Sequence, residues 1–139
     1  MKAKIFVGDR ATGKTRIAKM ISEFFEPGKV AILDGRRFNS NHFFPLQKIP
    51  SDTKLLIIDD CPEDFDYEYF FPYNDNRFYE GDISFRITVE RQGEEREIIE
   101  VPFLIFTTNK IKPKWKFYGA SFSERFDVVY FPISGQPLT

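Results

Sequence analysis

The chain has 139 residues, 42% of them apolar, which is enough to build one domain around one core. Its formal net charge of −1 gives no overall electrostatic reason to bind nucleic acid, so such binding would need a local basic surface. With Cys61 and His42 as the only cysteine and histidine, and no apolar run near the ~20 residues that span a bilayer, we expect no disulfide, no zinc site and no membrane segment.

The chain begins with a predicted strand and a predicted helix, joined by a loop that contains two glycines. Residues 2–7 favour a strand, and residues 15–25 favour a helix because apolar side chains recur there at helical spacing. These side chains are Ile17, Met20, Ile21 and Phe24. The loop matches the phosphate-binding pattern G-x-x-x-x-G-K-[ST] at every fixed position. It consists of Gly8, Asp9, Arg10, Ala11, Thr12, Gly13, Lys14 and Thr15.

Each fixed position of this loop has a physical role. Gly8 and Gly13 lack a Cβ atom, so the backbone can take positive φ and curl around an anion. The N–H groups of the loop and of the following helix would then point at phosphate oxygens. Lys14 is expected to reach the β- and γ-phosphates, and the Thr15 hydroxyl to bind Mg²⁺. A strand-to-helix turn without a ligand is the less favoured alternative, because the motif is complete and correctly placed.

The rest of the chain predicts strands that alternate with loops or helices, which indicates one α/β domain over residues 1–139 with a mostly parallel sheet. Strands are predicted at residues 29–33, 54–58, 103–106 and 128–131, with a β-hairpin at 83–101. Loops, turns or short helices are predicted at residues 36–52, 62–76 and 121–125, with proline 62 tolerated in a first helical turn.

Two acidic residues, Asp59 and Asp60, follow one of the buried strands. Open α/β sheets bind ligands at the carboxyl ends of their strands, so both acids are expected at the nucleotide. Asp59 would bind Mg²⁺, usually through water, and Asp60 would orient or deprotonate the attacking water. The alternative, two acids that cap a following helix, is less favoured once a complete phosphate loop lies upstream.

Asn109 ends the next buried strand, after Thr107 and Thr108. Its side chain could hold the attacking water or contact the γ-phosphate, although asparagine alone more commonly ends a strand in a turn. Asn109 and Lys110 also begin like the guanine-specifying N-K-x-D of GTPases. Because Lys112 stands where the acid is required, guanine selectivity is not supported.

The order of these motifs resembles that of superfamily 3 helicases, the AAA+-type ATPases of small viruses and mobile elements. The resemblance is greatest to the helicase domain of Rep proteins of circular single-stranded DNA viruses, and it covers nearly the whole chain. It rests on the phosphate loop, the paired aspartates, the hairpin, the Thr-Thr-Asn strand end and Ser-Glu-Arg-Phe at 123–126. It implies an AAA+ sheet of order 5-1-4-3-2 with the hairpin inserted before strand 4. It also implies a homo-oligomer, usually a hexameric ring around single-stranded DNA.

The resemblance further implies ATP and Mg²⁺ as cofactors and assigns roles to single residues. Lys14 and Thr15 would be phosphate and Mg²⁺ ligands, Asp59 the metal-binding acid, and Asp60 the water-activating acid where many AAA+ proteins use Glu. Asn109 would sense the γ-phosphate. Arg125 would be an arginine finger acting on the neighbouring subunit's nucleotide. The alternative for Arg125 is a surface ion pair with a neighbouring acid.

Nucleic-acid contacts are predicted at two places. The hairpin would track DNA with Arg91 near its tip, but glutamates outnumber arginines there, and such alternating charges equally suit a solvated hairpin. Lys110 and Lys112 begin a basic run interleaved with Trp115, which could contact phosphates or stack on bases. The same run could instead form a lysine-rich interface loop.

The predicted function is Mg²⁺-dependent ATP hydrolysis coupled to translocation on, or unwinding of, single-stranded DNA. Rep proteins also carry a nicking domain and a helical oligomerisation segment that this sequence does not match, so a partner is expected to supply nicking or origin binding. The expected location is the cytoplasm, or a host nucleus for a viral protein. The alternative function is an ATP-binding switch or assembly module for a protein partner. A small-molecule kinase is disfavoured because no arginine-rich lid follows the last strand.

Overall fold

A five-stranded parallel sheet forms the centre of the computed structural model, which describes residues 3–9, 11–38, 49–65, 67, 85–90, 96–109 and 126–131. The strands in chain order are β1 (Ala3–Val7), β2 (Val30–Asp34), β3 (Leu55–Cys61), β4 (Phe85–Glu90), β5 (Arg96–Val101), β6 (Phe103–Thr108) and β7 (Phe126–Tyr130). The helices are α1 (Lys14–Ser22) and two short 3₁₀ helices, Pro27–Lys29 and Gly35–Arg37.

The sheet has the order β2-β3-β6-β1-β7, and every neighbouring pair in it is parallel. Strands β4 and β5 pair antiparallel in a separate two-stranded sheet. The predicted α/β class, parallel sheet and hairpin are therefore confirmed. Val7 pairs with Thr108 on one side and Tyr130 on the other, so the carboxyl ends of β1, β6 and β7 lie at one edge.

The central strands β3 and β6 are buried on both faces, as their continuous apolar sequences predict. Side chains alternate across a strand, so Leu56 and Ile58 enter the core on one face while Leu55 and Ile57 enter the core on the other. All four are at most 1% exposed. Burying each such side chain stabilises the folded state by roughly 1.5–3 kcal/mol. These strands therefore hold the residues at their ends in fixed positions.

Helix α1 packs on one face of the sheet. The side of the helix that faces the sheet differs from the side that the apolar spacing indicates. Ala18 is fully buried and Ile21 packs beside it, whereas Ile17, Met20 and Phe24 are exposed, Phe24 by 90%. The helix also ends three residues earlier than predicted, at Ser22. In the described part of the chain, no helix combines the length and apolar character needed to cross a membrane.

An aromatic cluster fills the opposite face of the sheet. The Phe65 ring lies 4.9 Å from Tyr67 and 5.7 Å from Phe106, and Phe38 and Phe126 extend the cluster at each end. Edge-to-face contacts of this kind add to the burial of the rings. The helix predicted from residue 62 does not form over 62–65, where a turn is closed by a hydrogen bond from the Phe65 N–H to a carbonyl three residues earlier.

The single cysteine gives a direct test of this packing. Cys61 is 5% exposed, and burial raises the pKa of its thiol well above the usual value. The reactive form of cysteine is the thiolate, so iodoacetamide at pH 8 should label the folded protein far more slowly than the urea-unfolded chain. Mass spectrometry measures the labelled fraction over time. Equal rates in the two states would contradict the buried position.

Candidate functional site

Four segments meet where the strands end: the loop after β1, the ends of β3 and β6, and the turn after β2. Open α/β sheets place their ligand sites at this edge. The loop itself is tied to the sheet, because the Gly8 N–H donates to the Thr108 carbonyl at 3.1 Å. The sequence prediction that the loop, Asp59 and Asp60 share one edge is therefore consistent with the register of the strands.

The loop between β1 and α1 curls as expected, although not through both glycines. Gly13, which precedes α1, has φ of 94°, and Ala11 has φ of 62°. Gly8 does not have positive φ, so that expectation was wrong. Gly8 is needed for space instead, since a Cβ there would lie 2.9 Å from the Phe131 Cβ and from the Thr12 Oγ1.

Lys14 is the buried cation of the loop, with 6% of its surface exposed. Its Nζ donates to the Asp9 carbonyl at 2.8 Å, and the Thr12 hydroxyl donates to the same carbonyl at 2.7 Å. Burial lowers the pKa of the Lys14 ammonium group. The nearby carboxylates of Asp60, Asp59 and Asp9 oppose that shift. The cation is thus held at the loop by a neutral partner, with acids around it.

The side chains of Thr15, Asp59 and Thr107 form one hydrogen-bonded group. The Thr15 Oγ1 donates to the Asp59 Oδ1 at 2.8 Å, and the Thr107 Oγ1 donates to the same oxygen at 2.6 Å. Hydroxyl and carboxylate oxygens are ligands suited to Mg²⁺, which commonly keeps several waters and uses one or two carboxylates. Among the described residues no group of three or more His, Cys, Asp or Glu could hold a metal, and the oxygens gathered here come from one carboxylate and two hydroxyls.

Strand β3 carries a bulge at its two acids. The register with β6 shifts between Ile58 and Cys61, and Asp60 has φ of 58°. The Asp60 N–H donates to the Thr107 Oγ1 at 2.8 Å, and the Thr108 Oγ1 donates to the Cys61 carbonyl at 2.9 Å. A bulge bends its strand and re-aims the side chains on it. Here it leaves Asp59 half-buried against the threonines and Asp60 exposed.

The turn after β2 supports this bulge and brings an arginine to it. Gly35 is buried, and a Cβ there would lie 2.8 Å from the Cys61 Cα. The Arg36 side chain donates to both oxygens of Asp34, with Nε to Oδ1 and Nη2 to Oδ2 each at 3.0 Å. These bonds are the largest cause of a raised pKa at Arg36. The negative charges of Asp34, Asp60 and Asp59 raise that pKa further.

The remaining predicted residues fall at different places. Asn109 is exposed and directly follows β6 at the loop edge. Outside the described residues lie Arg10, Arg91, Lys110, Lys112 and Arg125. Three residues of the site were not predicted: Gly35, Arg36 and Thr107. The signal for Thr107 was a polar residue inside a buried strand, and the signal for Arg36 was its place just beyond the end of β2.

Comparison with known proteins reveals a likeness of fold and no family. No model of a known protein family matches the sequence, and no curated protein matches it. Among solved structures, the apo A form of the NrS-1 C-terminal region superposes with a TM-score of 0.51 at 14% identity, covering 94% of this chain and 28% of that one. A second structure of that region gives 0.49 at 16% identity, covering 94% and 29%. This chain therefore spans less than a third of the NrS-1 region, and the likeness concerns the fold alone.

Gly35 can be tested against a matched glycine. Gly35→Ala would force a methyl group onto the β3 backbone, and overpacking of this kind costs roughly 1–3 kcal/mol of unfolding free energy. Gly28→Ala is the control, because nothing lies within 4 Å of a Cβ built there. Urea denaturation measures both variants. Equal stability of the two would contradict the close approach of Gly35 to the bulge.

Proposed function

We propose that this chain is a Mg²⁺-dependent P-loop ATPase of the superfamily 3 helicase type. In this proposal, hydrolysis is coupled to movement along single-stranded DNA during replication of a virus or mobile element. The observation that carries the proposal is the hydrogen bond from Thr15 to Asp59, made beside the buried Lys14 at the carboxyl edge of a parallel sheet. It joins the two motifs that a P-loop ATPase needs, which lie 44 residues apart in sequence.

The environment of Lys14 supports phosphate binding. A bound triphosphate would offer anionic oxygens to the Lys14 Nζ. In this structure that nitrogen contacts the neutral Asp9 carbonyl. An anionic oxygen attracts the ammonium group by its charge as well as by the hydrogen bond, which a neutral carbonyl cannot do, so the exchange favours the ligand. The N–H groups at the start of α1, just after Gly13, would add donors and the positive end of the helix dipole.

The two aspartates support separate roles in hydrolysis. Asp59 and Thr15 would hold Mg²⁺, which when bound neutralises charge on the β- and γ-phosphates. Asp60 is exposed on the bulge, and its carboxylate is the strongest charged influence on Lys14. That position suits it to orient or deprotonate a water near the γ-phosphate, while Asn109 at the end of β6 could contact the same phosphate.

The topology supports an AAA+-type assignment. When the hairpin strands are left out of the numbering, β7-β1-β6-β3-β2 becomes 5-1-4-3-2, the order that the resemblance implies. The hairpin of β4 and β5 precedes β6 in the chain, as the resemblance also implies. DNA as the ligand and a replication role rest on the resemblance of the sequence motifs.

The proposal includes an arginine finger, Arg125, that acts between subunits of a homo-oligomeric ring and directly precedes β7 in the sequence. Phe126, which follows Arg125, pairs with Ala3 at the amino edge of the sheet. The phosphate loop follows Val7 at the other edge, about 13 Å away at ~3.3 Å per residue. Arg125 itself lies outside the described residues, and its assignment to a neighbour's nucleotide rests on the resemblance of the sequence motifs.

An ATP-dependent switch that binds a protein partner is the second candidate. The helix that begins at the loop and the turn that follows the helix expose three apolar side chains, Ile17, Met20 and Phe24. The near-neutral net charge of −1 also favours a protein over DNA. A nucleotide-dependent change in oligomeric mass without any stimulation of hydrolysis by DNA would favour this candidate over the first.

The ATPase proposal predicts the behaviour of two lysine variants on one helix. Lys14→Ala should abolish ATP turnover, because the phosphates lose their buried cation, while Lys19→Ala should leave turnover unchanged, since Lys19 is exposed in the last turn. Phosphate release is measured with and without single-stranded DNA, at high protein concentration so that a ring can assemble. Absence of hydrolysis by the unmodified chain under every condition would contradict the proposal.

The finger proposal predicts a separation of binding from chemistry. Arg125→Ala should slow hydrolysis on the order of 10³-fold while leaving nucleotide affinity nearly intact, because a finger stabilises charge only in the transition state. Mixing this variant with Lys14→Ala should restore activity in part, since a subunit with an intact loop can then receive an intact finger from its neighbour. Unchanged turnover by Arg125→Ala would eliminate the finger role.

A further inference from the structure

Thr107 is a fully buried polar residue, and its hydroxyl joins both aspartates of the site. The hydroxyl donates its single proton to the Asp59 Oδ1 at 2.6 Å and accepts the Asp60 N–H at 2.8 Å. A threonine hydroxyl has one donor and two acceptor positions, so it can make both bonds at once. Neither a valine nor an alanine at this position could make either bond.

The bond to the Asp60 N–H falls at the least regular point of β3. Asp60 has φ of 58°, in the left-handed region that a non-glycine residue seldom adopts without support. Gly35 packs against the bulge from the β2 side, and Thr107 bonds to it from the β6 side. The direction in which the Asp60 side chain leaves the backbone thus depends on contacts from two neighbouring strands.

The bond to Asp59 fixes which carboxylate oxygen remains for a ligand. Thr15 and Thr107 both donate to Oδ1. Within the described ranges no donor hydrogen-bonds to Oδ2, which leaves its acceptor capacity for a metal ion or a metal-bound water. Hydrogen bonds to a ligating carboxylate orient it in this way at many metal sites, and their loss typically costs 10–100-fold in metal affinity.

We propose that Thr107 is a positioning residue for Mg²⁺ at this site. Its hydroxyl turns the Asp59 carboxylate toward the metal and holds the Asp60 backbone in the conformation that carries the second acid. The inference rests on the proposed function, because it assumes that Asp59 serves a nucleotide-bound Mg²⁺. It adds that a buried residue on β6, which touches neither metal nor nucleotide, sets the metal affinity.

The test compares Mg²⁺ dependence among three threonine variants. Thr107→Val removes both hydrogen bonds and keeps the branched shape, whereas Thr107→Ser keeps the hydroxyl. Thr53→Val is the control, because Thr53 is equally buried and bonds only the Pro50 carbonyl in the turn before β3. A fluorescent, non-hydrolysable ATP analogue is bound to each protein, and Mg²⁺ is titrated from zero with EDTA as the starting point.

We expect Thr107→Val to need about tenfold more Mg²⁺ for half-maximal tight binding of the analogue, because losing a hydrogen bond to a ligating carboxylate costs metal affinity by about this factor. Analogue binding in EDTA should stay unchanged, which a general loss of structure would not allow. Thr107→Ser and Thr53→Val should stay within twofold of the unmodified chain. In an Asp59→Asn background, Thr107→Val should have no further effect on the Mg²⁺ requirement.

An unchanged Mg²⁺ requirement in Thr107→Val would overturn the inference and leave the proposed ATPase intact. Should Thr107→Val fail to fold, a tenfold loss of Mg²⁺ affinity in the folded Thr107→Ser variant would also overturn it, because that variant keeps the hydroxyl. If the unmodified chain binds no nucleotide with or without Mg²⁺, the proposed function fails and the inference fails with it.

Discussion

The hydrogen bond between the Thr15 hydroxyl and the Asp59 carboxylate holds the site together, and its formation depends on strand order. β6 lies between β1 and β3, so the strand that leads into the loop and the strand that bears the acid are two spacings of about 4.8 Å apart. The first residues of α1 span the distance between these two strands. Thr107 lies on β6 between them, and its hydroxyl donates to the same carboxylate oxygen of Asp59. The parallel direction of all three strands is what places these groups at one edge.

Charge at this edge explains why a divalent ion is central to the proposal. One buried lysine is surrounded by Asp60, Asp59 and Asp9, and the Arg36 guanidinium is already paired with Asp34. The described side chains near the loop therefore carry more negative than positive charge. A nucleoside triphosphate would add several further negative charges, and its repulsion from the aspartates would be severe in a partly desolvated site. In the proposed ATPase, Asp59 and Thr15 would hold Mg²⁺, which would supply positive charge to offset that repulsion.

Local patterns predicted much of this molecule, and contacts between distant segments account for what they missed. The loop and the buried runs that end at Asp59 and Thr108 are visible in short stretches of sequence. The bulge was not predictable, because it depends on Gly35 in the turn after β2 and on Thr107 in β6. The buried side of α1 differs from its stripe of large apolar residues for a simpler reason. Large apolar residues mark one stripe of that helix, but a small residue, Ala18, allows the helix to approach the sheet on another.

The bulge has a geometric reason that concerns the two acids together. In a regular strand, successive side chains point to opposite faces, so Asp59 and Asp60 could not both serve a ligand on the α1 side of the edge. One residue in the left-handed region breaks that alternation, and the Asp60 charge acts on the Lys14 ammonium group more strongly than that of Asp59 or Asp9. Glutamate at the second position would reach further from an unbent strand. In the proposed ATPase, the shorter aspartate would depend on the backbone for that reach, and Gly35 and Thr107 contact the strand at this point.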